Sequence, residues 1–197
     1  MKAPEGLRPP FSSPDWLFEV KFDGYRCMAR IENGQVDLHT KSGADCTSWF
    51  PEVAQALTKI KGAHVIDGEA CVLDDQGLSD FNRLQTRARH RRWYPGCDPV
   101  TLCSFDILVH RGQPVMGLPL LERKALLQEL LADVPGVLFV KDLPADSGLF
   151  KAMELAGLKI EGVVAKRKAS TYQPGVRSPD WLKIKRPGWQ EGRAWRP

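Results

Sequence analysis

The sequence is poor in the residues that build disulfide frameworks and zinc sites. Its five cysteines are odd in number and scattered, with no Cys-x-x-Cys pair and no histidine nearby at metal-ligand spacing. This pattern argues against a disulfide-stapled secreted domain and against a structural zinc centre. Two of the cysteines, Cys27 and Cys71, lie in strand-like runs, so we expect them to be small core residues.

Long apolar stretches are also missing. No run approaches the roughly 20 residues that a membrane-spanning helix needs, and residues 1–14 are polar and rich in proline. The sequence therefore predicts a cytoplasmic protein without a membrane partner. With 197 residues, 43% of them hydrophobic and 26% charged, the chain can bury a core in one or two compact lobes.

Charge of one sign is not in large excess, because the net charge is only +4. That value permits binding to a polyanion without requiring it. The positive residues are nevertheless clustered in two places, and each cluster taken alone could be a solvated face. The first cluster flanks His90 and contains Arg87, Arg89, Arg91 and Arg92; the second contains Lys166, Arg167 and Lys168.

Alternation of apolar and polar residues predicts strands in the N-terminal part of the chain. Residues 17–30 read as one strand that carries Lys21 on a polar face and contains the turn-capable Asp23-Gly24 pair. Asn33-Gly34 lies between two alternating runs, which is the strongest local signal for a tight hairpin. The first strands are therefore expected to pair antiparallel.

The remaining elements alternate between strands and helices, a pattern typical of the α+β class. Helices are predicted to start at Pro51, Ser79, Pro119 and Ser147 and to end near residues 62, 88, 132 and 157. Further strands are predicted at 64–73, 100–109, 159–167 and 181–186, and the last two are joined by a turn-rich segment.

Five short motifs stand in a fixed order along the chain. They are KFDGYR at 21–26, VIDGEA at 65–70, SFDI at 104–107, EGVVAK at 161–166 and DWLKIK at 180–185. Together they resemble the adenylation domain of ATP-dependent DNA ligases. The ligase domain of bacterial end-joining enzymes is similar in more detail, because it also shares the GLPLLER segment at 117–123. The resemblance covers about residues 16–185.

The resemblance implies two antiparallel β-sheets with flanking helices around a nucleotide cleft. Residues 1–186 would form the adenylation domain, and residues 187–197 would be a C-terminal tail or linker stub. Ligases of this type normally continue into an oligonucleotide-binding barrel, whereas this chain stops at Pro197. The sequence therefore predicts an adenylation-domain-only form without a barrel.

Lys21 is the nucleophile that the resemblance implies, and it would attack the α-phosphate of ATP. A free amine has a pKa of about 10.4 and is mostly protonated, so the site must disfavour the ammonium form. Lys183 and Lys185 alternate with apolar residues and project from one face. The resemblance directs both at the α-phosphate, although an amphipathic edge strand would show the same alternation.

Other residues are expected around the nucleotide. The resemblance places Glu69 at the ribose, Arg26 at the ribose or the DNA end, Phe105 against the adenine and Glu19 beside it. Phe105 could equally be a core residue, and Glu19 could be a salt-bridge partner. The segment 40–43 reads Thr-Lys-Ser-Gly where the family usually has Ser-Arg-Asn-Gly, so Lys41 would make a looser contact than an arginine.

Glu161 resembles the carboxylate that holds a divalent ion, Mg²⁺ or Mn²⁺, with Glu69 as a second candidate. DNA contacts are predicted at the two basic clusters, because arginine and lysine side chains bind phosphates. The predicted DNA-contacting residues are Arg87, Arg89, Arg91, Arg92, Arg167 and Lys168.

The sequence therefore predicts an ATP-dependent DNA ligase that forms a lysyl-AMP intermediate and seals a nick or a broken end. A separate DNA-end-binding protein could present that substrate. An RNA ligase or a capping-type guanylyltransferase remains an alternative. A non-catalytic relative that binds DNA ends is a third reading, although such a protein has no need of a nucleophilic lysine.

Overall fold

The computed structural model describes residue 1, residues 9–158 and residues 160–186. The strands are β1 (Ser13–Val20), β2 (Tyr25–Glu32), β3 (Gln35–Thr40), β4 (Ala63–Cys71), β5 (Thr101–His110), β6 (Gln113–Pro114), β7 (Val137–Phe139), β8 (Asp142–Ala145), β9 (Gly162–Arg167) and β10 (Trp181–Lys185). The helices are α1 (Pro51–Leu57), α2 (Phe81–Arg89), α3 (Leu120–Leu131) and α4 (Leu149–Leu155), with a 3-10 turn at Thr47–Trp49.

These strands form two sheets. The first has the order β10-β9-β1-β8 and is antiparallel throughout. The second has the order β3-β2-β4-β5-β6 and is also antiparallel, except that β7 pairs parallel with β5. Both orders are open, so the described residues contain no closed barrel. The predicted α+β fold with two antiparallel sheets is confirmed.

The segment 17–30 is not one strand, and this prediction was wrong. β1 ends at Val20 and β2 begins at Tyr25, and the two strands belong to different sheets. Residues 21–24 cross between the sheets, where a β-carbon on Gly24 would lie 2.1 Å from the carbonyl oxygen of Ala70. Only glycine fits at that approach. Lys21 therefore lies in the crossover between the sheets and not within a strand.

The local turn signals were more reliable. Asn33 and Gly34 have φ angles of 52° and 81°, as a tight hairpin between β2 and β3 requires. The four helices lie where they were predicted, with bounds that differ by at most two residues except that α1 ends at Leu57, five residues before the predicted end. Ser79 does not cap α2, because Asp80 accepts the backbone N–H of Arg83 at 3.0 Å. The Ser79 hydroxyl instead accepts from the backbone N–H of Asp23 in the crossover, at 2.9 Å.

Short strands and the termini account for the other differences. β6, β7 and β8 have two, three and four residues and were not predicted, because so few residues show no usable alternation. Lys159 and the predicted tail 187–197 lie outside the described residues. No described helix is long and apolar enough to cross a membrane.

The larger core lies on the six-stranded sheet, where α1 and α3 pack, and it includes Cys27. Cys71 is buried as well, so both cysteines are core residues as predicted. A smaller core belongs to the four-stranded sheet and contains Phe18 and Val163.

One fully buried ion pair joins α3 to β5. Arg123 donates to both carboxylate oxygens of Asp106, at 2.7 and 2.9 Å, and neither side chain is exposed. The same guanidinium donates to the carbonyl oxygens of Leu118 and Ser170. This arrangement gives a physical role to two sequence motifs, SFDI and GLPLLER, because it locks β5 to the helix and to the segment that follows β9.

Candidate active site

A pocket of about 320 Å³ is lined by residues from both sheets and from the crossover between them. Seven of the residues predicted to act on the nucleotide line it: Glu19, Lys21, Arg26, Lys41, Glu69, Phe105 and Lys183. Trp181 and Arg177, which had no predicted role, line it too, and so does Lys166, which was predicted only as a member of the second basic cluster. The fold therefore gathers residues that are up to about 160 positions apart, from Glu19 to Lys183, around one cavity.

Lys21, which lines this pocket, shares one carboxylate with Lys185, that of Glu161, although neither Glu161 nor Lys185 is among the lining residues. The Nζ atom of Lys21 lies 2.8 Å from Oε2 of Glu161, and that of Lys185 lies 3.6 Å from Oε1. The backbone N–H of Lys21 also donates to the carbonyl oxygen of Gly162 at 2.9 Å, which fixes the crossover against β9. In this state the Lys21 amine is paired with the Glu161 carboxylate. That contact must break before the amine can attack phosphorus.

The close approach of β9 and β10 explains the glycine after Glu161. A β-carbon on Gly162 would lie 2.2 Å from the carbonyl oxygen of Ile184. Gly162 pairs directly with Lys185, and Val164 with Lys183. Both lysines are therefore carried by one strand at two-residue spacing, as the sequence pattern predicted.

Glu69 lies beneath the crossover. The backbone N–H of Gly24 donates to its Oε1 at 3.2 Å. Burial raises the pKa of the Glu69 carboxyl to about 7, against the opposing effect of the Lys21 and Arg26 charges. A carboxyl group that titrates near neutral pH can donate or accept a hydrogen bond to a ribose hydroxyl.

We expect Glu69 to make the stability of the protein depend on pH. Its folded pKa of about 7 exceeds the ordinary value of 4.5, so the folded protein keeps a proton that the unfolded chain has released. The contribution of Glu69 to the free energy of unfolding is thus present at low pH and falls as pH rises through 7. Between pH 4.5 and 7 the free energy of unfolding should fall by about 3 kcal/mol.

Urea denaturation of wild type and Glu69→Gln between pH 4.5 and 8 measures this effect. As pH rises, the free energy of unfolding of the glutamine variant should increase relative to that of wild type. Parallel pH profiles for the two proteins would show that folding does not raise the pKa of Glu69.

Arg26 is oriented by a buried hydrogen-bond network. Its guanidinium contacts both oxygens of Asp67, at 3.0 and 2.5 Å, and the Tyr172 hydroxyl donates to Asp67 Oδ2 at 2.8 Å. The Arg26 guanidinium also lies 5.6 Å from the centre of the Phe105 ring. Asp67 and Tyr172 are therefore positioning residues for Arg26, and sequence reasoning gave neither of them a role.

The carboxylate of Glu19 is occupied by two buried lysines. Lys124 lies 2.6 Å from Oε1 and Lys166 lies 2.5 Å from Oε2. Burial lowers the pKa of Lys166, and the Glu19 charge opposes that shift. The salt-bridge reading of Glu19 matches this geometry, and because Glu19 also lines the pocket its place beside the base stays a prediction. Lys166 belongs to this buried pair and not to a surface cluster.

Lys124 is a residue that sequence reasoning missed. It occupies the same face of α3 as the buried residues Leu120, Leu127 and Leu131, at helical spacing. A lysine on that apolar stripe must find a buried partner, and this spacing was the available signal.

Phe105 faces the pocket and is not a plain core residue. Its ring lies edge-to-face with Trp181, with ring centroids 6.0 Å apart. The Nζ atom of Lys166 lies 4.6 Å from the Phe105 ring and 4.1 Å from the Trp181 ring. The two aromatic rings form an apolar wall on which a planar base could lie, and the Lys166 charge holds that wall in place.

One predicted DNA contact is wrong. The side chain of Arg87 is fully buried, because its guanidinium pairs with Glu52 and donates to the carbonyl oxygen of Arg92 at 2.6 Å. Arg89, Arg91 and Arg92 are exposed, as a phosphate contact requires.

The second basic cluster makes internal contacts. Arg167 pairs with Asp180 at 2.9 Å, and Lys168 donates to the carbonyl oxygen of Pro14 at 2.7 Å. These two residues must exchange partners before they bind DNA.

The structure also shows which carboxylates could bind a metal ion. The described residues contain no group of three or more His, Cys, Asp or Glu side chains that could hold a metal ion. Magnesium is commonly bound by one or two carboxylates together with substrate phosphates and water, so a full protein cage is not required. The carboxylate of Glu161, which is paired with two lysines here, has the oxygen atoms that such an ion prefers as ligands.

Comparison with known proteins adds to this geometry. The family described as "ATP dependent DNA ligase domain" matches residues 5–185. The multifunctional non-homologous end joining protein LigD of Mycolicibacterium smegmatis is 35% identical over 206 residues, which cover 100% of this chain and 26% of that protein. The SPbeta prophage-derived DNA ligase-like protein LigB of Bacillus subtilis is 32% identical and covers 90% of this chain and 64% of its own length.

The fold matches a solved structure as well. The structure of mycobacterial DNA ligase D complexed with ATP and MES superposes with a TM-score of 0.77 and 34% identity, covering 93% of this chain and 58% of that one. The chain thus spans about a quarter of the length of the LigD relative named above.

Proposed function

The chain belongs to the ATP-dependent DNA ligase domain family, and from that premise we propose that it forms a covalent lysyl-AMP at Lys21 and seals DNA strand breaks. The observation that carries this proposal is the position of Lys21. It lies in the crossover between the two sheets, lines the pocket and touches Glu161, with Lys185 on the same carboxylate.

The first chemical step joins the chain to AMP. The lone pair of the Lys21 amine attacks the α-phosphorus of ATP, and a P–N bond forms as the bond to the β-phosphate oxygen breaks. Pyrophosphate leaves with that electron pair, and the amine loses a proton. Lys183 and Lys185 provide positive charge where negative charge develops on the phosphoryl oxygens. Glu161 is the residue that would hold a divalent ion, Mg²⁺ or Mn²⁺, whose charge would offset that of the phosphates.

The next two steps transfer AMP and close the break. A 5′-phosphate oxygen of DNA attacks the AMP phosphorus, the P–N bond breaks, and the Lys21 amine regains a proton. The 3′-hydroxyl of the neighbouring strand then attacks the 5′-phosphorus and releases AMP. Arg26, held by Asp67 and Tyr172, would contact the ribose or the DNA 5′-phosphate during these steps.

The substrate that we propose is DNA with a nick or a broken end in the bacterial cytoplasm. The end-joining names of the LigD relatives support this choice over an RNA substrate. A separate DNA-end-binding protein would hold the ends in place.

Incubation of the chain with labelled ATP, Mg²⁺ and a nicked duplex should give a labelled protein and a sealed strand. A chain that labels without sealing, even at low salt, would limit the proposal to adenylation.

We expect DNA binding to weaken steeply with salt. Each phosphate that is neutralised adds about −0.9 to the slope of log affinity against log salt, so three contacts give roughly −3. Exposed Arg89, Arg91 and Arg92 could supply them. Changing Arg91 and Arg92 together to alanine should therefore reduce the slope by about 2.

Fluorescence anisotropy with a nicked duplex across a salt series measures that slope. Arg111→Ala is a matched control, because its side chain is 74% exposed and lies outside both basic clusters. Self-adenylation needs no DNA and should tolerate salt better. An unchanged slope in the double variant would place the phosphate contacts on another surface.

A further inference from the structure

The loop at residues 90–99, between α2 and β5, is tied to the body of the protein at several points. Arg87, at the end of α2, donates to the carbonyl oxygen of Arg92 inside the loop. Its partner Glu52 also accepts the backbone N–H of Val100, where the loop ends, at 3.1 Å. A further ion pair joins Asp98 to Arg83. The conformation of this loop is therefore set by the buried contacts of Arg87 and by the ion pair of Asp98.

The outer side of the loop combines exposed cations with an exposed aromatic ring. Arg89, Arg91 and Arg92 are exposed, and Trp93 retains 56% of its surface. Together these four residues form a surface that we call the arginine–tryptophan surface. None of them lines the nucleotide pocket.

The backbone of this surface is held in an unusual conformation. Arg91 has a φ angle of 50°, which residues other than glycine rarely adopt. Its guanidinium lies 5.2 Å from the centre of the Trp49 ring, and the Ser48 hydroxyl donates to its carbonyl oxygen at 3.4 Å. These contacts hold Arg91 beside the Trp49 ring, so the surface carries an exposed indole at Trp93 and one arginine that already lies over an aromatic ring.

The charge of the loop indicates what binds there. Residues 89–96, which run from the last residue of α2 into the loop, contain three arginines and no acidic residue. The nearby acids Glu52 and Asp98 are already paired, with Arg87 and Arg83. An anionic partner is therefore favoured, and the exposed indole adds a requirement for a planar apolar group. Single-stranded nucleic acid meets both needs, because its bases stack on aromatic side chains while its phosphates contact arginines.

Duplex DNA cannot meet the second requirement, since its bases are stacked within the helix. We propose that the arginine–tryptophan surface binds the unpaired nucleotides of a single-stranded overhang at a DNA end, with a base on Trp93 and phosphates on Arg91 and Arg92. The inference rests on the proposed function only for the identity of the substrate as DNA.

The position of the surface along the chain fits this role. Trp49 follows the pocket residue Lys41 by eight residues, so the two lie no more than about 29 Å apart. An overhang held at the surface could thus belong to the same DNA end whose phosphate is processed in the pocket.

The test compares two labelled duplexes that differ only in a 3′ overhang of about six nucleotides. Wild type should bind the overhang duplex more tightly than the blunt one. Trp93→Ala should weaken overhang binding by roughly 5- to 100-fold and leave blunt binding within about twofold, as expected for loss of one stacked base. Trp93→Phe keeps an aromatic face and should retain most of the affinity.

Three results would overturn the proposal. Equal affinity of wild type and Trp93→Ala for the overhang would show that no base stacks there. Equal losses for overhang and blunt duplexes would place Trp93 against duplex DNA. Self-adenylation, measured with ATP alone, reports separately on the proposed function and should not change in Trp93→Ala. If wild type adenylates itself but binds the overhang and blunt duplexes equally, this inference fails and the ligase proposal stands.

Discussion

Lys21→Ala is expected to abolish covalent labelling of the protein by ATP. The alanine side chain offers no nucleophile, and Lys183 and Lys185 come from a different strand, β10. Labelled AMP should fall below detection in denaturing gels, and sealing of a nicked duplex should fall with it. The fold should persist, because the Lys21 side chain lies at the pocket edge, where it remains 16% exposed.

Two further variants make this result specific. Lys21→Arg keeps the positive charge near Glu161, but a guanidinium is not deprotonated in proteins and should be equally inactive. Lys59→Ala changes an exposed lysine two residues after α1 and should label like wild type. Normal labelling of the alanine variant at position 21 would assign the nucleophile to another residue and would leave Lys21 as a partner of Glu161.

Arg123→Met is expected to destabilise the protein by about 3–5 kcal/mol, because it leaves a buried carboxylate without its partner. The side chains of Arg123 and Asp106 are both fully buried. Two carbonyl oxygens, those of Leu118 and Ser170, would also lose a charged donor. For a chain of this length the melting temperature should fall by roughly 6–20 °C.

The double variant Arg123→Met with Asp106→Leu separates the charge from the packing. It removes both buried charges, so it should recover part of the stability that the single variant loses. Urea denaturation of the two variants measures this directly. Arg111→Ala is the surface control, since its side chain is 74% exposed and its contact with Glu129 is 3.9 Å long. A loss below 1 kcal/mol in Arg123→Met would show that Asp106 becomes neutral or that water reaches it.

Local signals in the sequence were enough for most of the elements. The Asn33-Gly34 turn predicted its hairpin, and the helix from Pro51 was found from its proline start and apolar spacing. Such features depend on residues that are near one another in the chain. The crossover at Lys21 was not found in this way, because an Asp-Gly turn shows where a strand breaks and not which sheet the chain enters next.

Most residues that the motifs singled out line one pocket, but the pairing of their charges was not predicted. Glu19 contacts Lys124, which is 105 residues away, and no periodicity in the sequence connects them. The burial of Arg87, in contrast, could have been predicted from the sequence. This residue shares the buried face of α2 with Leu84 and Ala88, so its burial was visible in the helical spacing. The cluster of arginines around it suggested a surface instead.

The proposed function depends most directly on the identity of the adenylated atom. Wild-type protein incubated with ATP and Mg²⁺ should gain the mass of one AMP, and peptide mapping should assign that mass to the side-chain nitrogen of Lys21. The adduct should be released by acid and should survive base, as a P–N bond does. Absence of any adduct under these conditions, or an AMP group mapped to a residue other than Lys21, would contradict the mechanism proposed for this chain.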